Sequence, residues 1–92
     1  MREINLTGAN QQIVLAAPFV NYRGVSVKET TGAAVAALVI FDGTSATGKI
    51  LDEINLAANE STRELYSPSK HALIGVFVQV VSGAIAGSVF FD

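Results

Sequence analysis

Residues 43–50 read GTSATGKI. Gly43, Gly48 and Lys49 stand at the spacing of the phosphate-binding loop G-x-x-x-x-G-K-[ST]. In that loop the glycines let backbone N–H groups face the phosphates, the lysine reaches the β and γ phosphates, and a final hydroxyl binds Mg²⁺. The stretch also follows an apolar run, Val39-Ile40-Phe41, as such a loop should. Its last position is Ile50, which has no oxygen to offer. A working site further needs the loop to open a helix whose N-terminus faces the anion. It also needs a metal-binding Asp on another strand of a parallel sheet, and 92 residues are too few for that architecture. The competing reading is a strand, a Gly-rich turn beginning at the turn pair Asp42-Gly43, and another strand. The segment after the loop, KILDEINLAANE, fits both a helical template (Ile50, Leu51, Ile54, Ala57, Ala58) and an alternating one (Ile50, Ile54, Leu56) that Asp52 interrupts.

The other reactive side chains do not assemble into a catalytic set. Asp52 and Glu53 are adjacent, so on a strand they point to opposite faces and do not form an acid–base pair. Glu60 and Glu64 read as a solvated pair with no third polar group converging on them. His71 follows the turn-like Ser67-Pro68-Ser69-Lys70 and reads as a surface histidine. Ser61 and Ser69 lack the strained G-x-S-x-G elbow of serine hydrolases. No enzymatic activity is therefore expected. Arg23, Lys28 and Arg63 interrupt β-rich runs; they read as solvent-facing charges or as partners of Glu29 or Glu64 in ion pairs between subunits. Phe90 and Phe91 are consecutive, so a one-sided core can hide only one of them. One is expected inside and the other against a neighbouring subunit.

Composition narrows the function classes. The chain has no cysteine and one histidine, which leaves no thiolate staple and rules out most His-built metal centres, so no metal or cofactor is expected. The net charge is −2 with scattered Lys and Arg; no basic stripe marks a nucleic-acid partner. The N-terminal MREINLTGANQQ lacks the apolar core of a signal peptide, and Asn5-Leu6-Thr7 and Asn59-Glu60-Ser61 read as chance matches to the glycosylation pattern. Half of the residues are apolar and only 15% are charged. A small domain has a high surface-to-volume ratio, so this composition implies that something else covers part of the surface. One candidate is lipid: residues 72–91 contain no charge, are long enough to span a bilayer as a helix, and include Gly83-x-x-x-Gly87. Against a span stand the β-branched alternation around Val76, Val78 and Val80, the turn signal Ser82-Gly83, and the missing aromatic and basic flanks. The preferred covering is by other subunits, with no membrane.

The whole chain divides into short strands. Arg2–Thr7, Gln11–Ala16 (kept short by Pro18), Val20–Thr30, Ala34–Asp42, Thr62–Tyr66, Ala72–Ser82 and Gly87–Phe91 read as strands, with Ile50–Ala57 ambiguous. A slip in parity at Gly24 suggests a bulge. Ala34–Asp42 is an apolar run, hence a central strand covered on both faces. Ser67–Lys70 reads as a turn, and Ser82–Gly87 as the turn between two buried strands. About eight strands with frequent turn signals predict an all-β antiparallel sandwich, jelly-roll-like, as a single domain over 1–92.

From Tyr22 to Phe91 the phrases YRGVSVKETTGAAVA, LVIFDGTSATGKILDEINLAANES, ELYSPSKHAL and GVFVQVVSGAIAGSVFF resemble a group of small virion proteins of tailed bacteriophages and prophages. The shared pattern is a strand, a D-G-T-S-A-x-G loop, a strand ending in L-A-A-x-E-S, and a late G-x-x-V-x-V-x-S-G hairpin. The resemblance implies a β-sandwich structural protein located in the virion. Its partners would be itself, as a trimer, and the major capsid or other virion proteins. Capsid decoration is the first expectation and a tail or head-to-tail component the second. The resemblance also favours strand over helix for Ile50–Leu56.

Overall fold

Apolar residues recur every second position through most of the chain, the period that puts one face of a strand against a core. The computed structural model describes residues 2–15 and 20–92, and in it these segments form eight strands. They are β1 (Arg2–Asn5), β2 (Gln11–Leu15), β3 (Val20–Glu29), β4 (Ala36–Asp42), β5 (Lys49–Leu56), β6 (Ser61–Ala72), β7 (Gly75–Ser82) and β8 (Ile85–Phe91). Ala16, Pro18 and Phe19 lie outside the described residues.

All pairings are antiparallel: β1 with β8, β2 with β7, β3 with β6 and β4 with β5. The chain is thus one long ribbon whose first and second halves run against each other. Folding the ribbon over adds the pairs β3–β8 and β4–β7. Two four-stranded sheets result: sheet I in the order β1-β8-β3-β6 and sheet II in the order β2-β7-β4-β5. This is the strand order of a jelly roll, the expected architecture. The Cα extents of 41 × 25 × 17 Å fit two sheets stacked about 10 Å apart.

Between the sheets lies one cluster of side chains, with Tyr22, Val25 and Val27 from β3, Leu38 and Ile40 from β4, Val76 and Val78 from β7, and Val89 and Phe91 from β8. Burial of apolar area at about 25 cal/mol per Å² is what holds the two sheets together. Where the alternation slips, the ladder bulges. The register of β3 shifts between Tyr22 and Gly24, as the parity slip in the sequence indicates. Gly24 has φ +143°, and a Cβ there would collide with the Glu64 carbonyl, so only glycine fits. In β5, Ile40 opposes Asp52 while Phe41 opposes Ile50, which leaves Leu51 as an extra residue. The bulge explains why Asp52 interrupts the apolar pattern: Leu51 fills the core and Asp52 turns to the inter-sheet side with Ile54 and Leu56.

Two sequence expectations, and one alternative reading, a helix over residues 72–91, need correction. Ser67–Lys70 is not a turn between strands but lies within the twelve-residue β6; the Ser67–Pro68 peptide is cis, and the β3 partner changes from Lys70 to Leu65 across this stretch. Residues 72–91 are not a helix but the end of β6 followed by β7 and β8, and no helix among the described residues is long and apolar enough to cross a membrane. Nor do β7 and β8 form a closing hairpin, because β7 belongs to sheet II and β8 to sheet I.

Candidate functional site

Burying a polar group is tolerated when its hydrogen bonds are made, so the carboxylates near the core show where the fold is tied. Asp52 Oδ2 accepts hydrogen bonds from Tyr22 Oη at 3.0 Å and Tyr66 Oη at 2.7 Å. Tyr22 is on β3 and Tyr66 on β6, both in sheet I, whereas Asp52 is on β5 in sheet II. One carboxylate therefore clasps the two sheets along the side where β5 and β6 are their edge strands. The tyrosine rings lie 5.9 Å apart at 44°. Lys70 Nζ sits 4.3 Å over the Tyr66 ring and donates to the Leu51 carbonyl at 2.7 Å. Burial, then the charge of Asp52, raises the Tyr22 pKa far above its ordinary value. Burial and the bond to Asp52 raise that of Tyr66 as well. Both phenols stay protonated and serve as donors. Sequence inspection misses this clasp because the partners are 30 and 14 residues away in the chain.

Two further carboxylates fix the ends of the sandwich. Glu29 has no exposed surface. It accepts from Thr31 Oγ1, Thr31 N and Gly32 N at 2.6–2.8 Å and from Asn59 N at 3.0 Å. The Thr31 hydroxyl, then the Asn59 amide, hold its carboxyl down to about 2. At the other end Asp42 accepts from the backbone N–H groups of Leu73, Ile74 and Gly75. Desolvation pushes its pKa up, but these three donors and nearby Lys49 outweigh that and leave it below the ordinary carboxylate value. The turn it ties presents Leu73 and Ile74, 68% and 57% exposed, to solvent.

The sheets' outer faces differ. On sheet I the strand register turns Ser26, Lys28, Arg63, Ser61 and Ser88 outward, with Phe90 and Leu65 flanking Gly24. On sheet II the outward row at one end runs Phe77, Phe41, Ile50 across β7, β4 and β5. Val39 and Gln79 form the next row, and Ala37 the one beyond. Its charged residue in register is Glu53, on the edge strand β5.

The sequence-predicted residues are distributed as follows. Arg23 Nε lies 3.5 Å from Asp92 Oδ2 within the subunit. Glu29 is taken up by backbone amides and not by a cation. Lys28 and Arg63 neighbour each other diagonally on the outer face of sheet I. Phe91 is in the core, with the Arg2 guanidinium 4.6 Å from its ring centroid, while Phe90 is half-buried on the outer face. His71 is exposed on β6. The glycine loop 43–48 leads into the strand β5 and not into a helix. Gly48 is required there because a Cβ would collide with the Asp42 carbonyl, and the Ser45 and Thr47 hydroxyls bond each other at 2.7 Å. The helix N-terminus that would receive a phosphate is missing, so the loop connects strands. Among the described residues no group of His, Cys, Asp and Glu is arranged to hold a metal ion. Compared with protein-family models, with curated proteins and with solved structures, the chain matches none.

Proposed function

We propose that this protein is a structural subunit of a tailed-bacteriophage particle, a decoration protein that docks on the assembled shell through protein–protein contacts. The observation that carries the reading is apolar surface left open on a single subunit, Ile50 on the outer face of sheet II and Leu73 and Ile74 on the turn before β7, on a chain whose sequence resembles small virion proteins. Jelly rolls serve in viral capsids as well as in lectins and other proteins, so the fold is compatible with this role without requiring it. The mechanism is mass action. A subunit that binds the assembled shell and not its dissociated components shifts the balance towards assembly, by RT ln(1 + [L]/Kd) per site.

The test is co-sedimentation of the purified protein with empty particles of a phage that encodes it, followed by heating of decorated and bare particles. Saturable binding and a higher disruption temperature are expected. No binding to shells, with binding to isolated tails, would move the protein to the tail; no binding to either would refute the reading.

A further inference from the structure

We propose that the outer face of sheet II is a self-association surface, covered in solution by the same face of a second copy of this chain. The strand β4 supplies the first argument. Its run AALVIFD is apolar at outward as well as inward positions, the composition of a strand covered on both sides. Within the subunit the inner side is fully covered, with Ala36, Leu38 and Ile40 buried in the core. On the outer side Ala37 and Val39 are half-buried, and Phe41 is shielded between Phe77 and the 53%-exposed Ile50.

Charge decides the occupant. The centre of the face, Val39 and Gln79 on the inner strands β4 and β7, carries no charge, and Glu53 stands at its edge. Two copies of the face therefore meet without like charges opposed. Against the outer face of sheet I, the same surface would bury Lys28 and Arg63 on aromatic and aliphatic side chains, an expensive desolvation. The head-to-tail contact that a three-fold ring requires is thus the poorer match, and an isologous two-fold contact the better one. The proposed two-fold contact is an alternative to the trimer that the resemblance implies. Area agrees: broad faces of a 41 × 25 Å body offer the ~800 Å² per partner of a standard interface. The inference refines only the self-association part of the virion reading. Its test uses the isolated protein, so its failure and a failure of particle binding are separate results.

Light scattering of the purified full chain is expected to give twice the chain mass. Ile50→Lys places a charge where a single subunit is already open to solvent, and Gln79→Lys places one at a half-buried position at the centre of the face. Each is expected to weaken the dimer at least about tenfold, the equivalent of about 1.4 kcal/mol, while Lys28→Glu leaves the mass unchanged. Circular dichroism confirms folding; if Gln79→Lys misfolds, Ile50→Lys decides. Because the chain contains no cysteine, Gln79→Cys is expected to form a disulfide-linked dimer on oxidation and Ser26→Cys is not. A monomeric or trimeric wild type, or a dimer indifferent to both lysine variants, would overturn the proposal.

Discussion

Sheets I and II each have four strands and share one core, yet they present opposite chemistries to the outside. In sheet I the outward positions of β3 and β6 carry Ser26, Lys28, Ser61, Arg63 and Leu65. In sheet II the corresponding positions of β4 and β7 carry Ala37, Val39, Phe41, Phe77 and Gln79. Folding does not require this difference, because inward residues already hold the sandwich together. Leu65 on sheet I and Leu73 and Ile74 in the turn before β7 are also exposed, but the contrast teaches that the apolar row Phe77-Phe41-Ile50, running across three strands, lies on sheet II. A contiguous apolar patch of that kind is the usual mark of an interaction surface.

Neighbouring residues of β4 provide the sharpest way to break this comparison. Leu38→Ala empties a core site and is expected to cost about 2–5 kcal/mol of stability in denaturant titrations. Val39→Ala, one residue along and facing outward, is expected to cost less than about 1 kcal/mol at dilutions where subunits are separate. Equal costs would mean that the outer face is structural in the single subunit. Next comes the clasp. Asp52→Ala leaves the buried Tyr22 hydroxyl and that of Tyr66 without their acceptor and is expected to cost about 1–3 kcal/mol; Asp52→Asn keeps an acceptor and costs less.

The pH dependence follows from the same groups. Tyr22 and Tyr66 have raised pKa values in the folded state, so their contribution is complete below the ordinary tyrosine value of about 10 and is lost as pH rises above it. Both phenols should resist spectrophotometric titration until unfolding, and Tyr22→Phe should reduce the alkaline sensitivity. Glu29 has the opposite sign. Its carboxyl is held down to about 2, so its contribution is present above the ordinary carboxylate pKa and is lost as pH falls from there through about 2. The lowered pKa of Asp42 acts in the same direction. Glu29→Gln should flatten the acid limb of a stability–pH curve. The smallest effects belong to the outer face of sheet I, where Lys28→Ala and Arg63→Ala should stay within about 0.5 kcal/mol.

Much of the fold was legible because period-two alternation is a local signal. The strand class, the number of strands and the Gly24 bulge all follow from neighbours in the chain. Non-local features were not. Ser67-Pro68-Ser69-Lys70 has turn composition, but its place in the ladder is set by β3. The assignment of β7 and β8 to different sheets depends on pairings with β4 and β3 that no short stretch encodes. The roles of Asp52 and Glu29 were hidden for a related reason. A carboxylate's partners here are phenols and backbone amides contributed by remote segments, and amides carry no sequence signature. The sheet II face was half-legible: the apolar run of β4 announced cover on two sides, but only the register joins Phe41 to Phe77 and Ile50.

Hydroxyl-radical footprinting of the side chains, at rising protein concentration and then on particles, tests the inequality of the two faces most directly. The account predicts growing protection of Ile50, Phe77 and Val39, with Leu65 and Phe90 on sheet I reacting at an unchanged rate. Protection of Leu65 and Phe90 with Ile50 and Phe77 left reactive would contradict it.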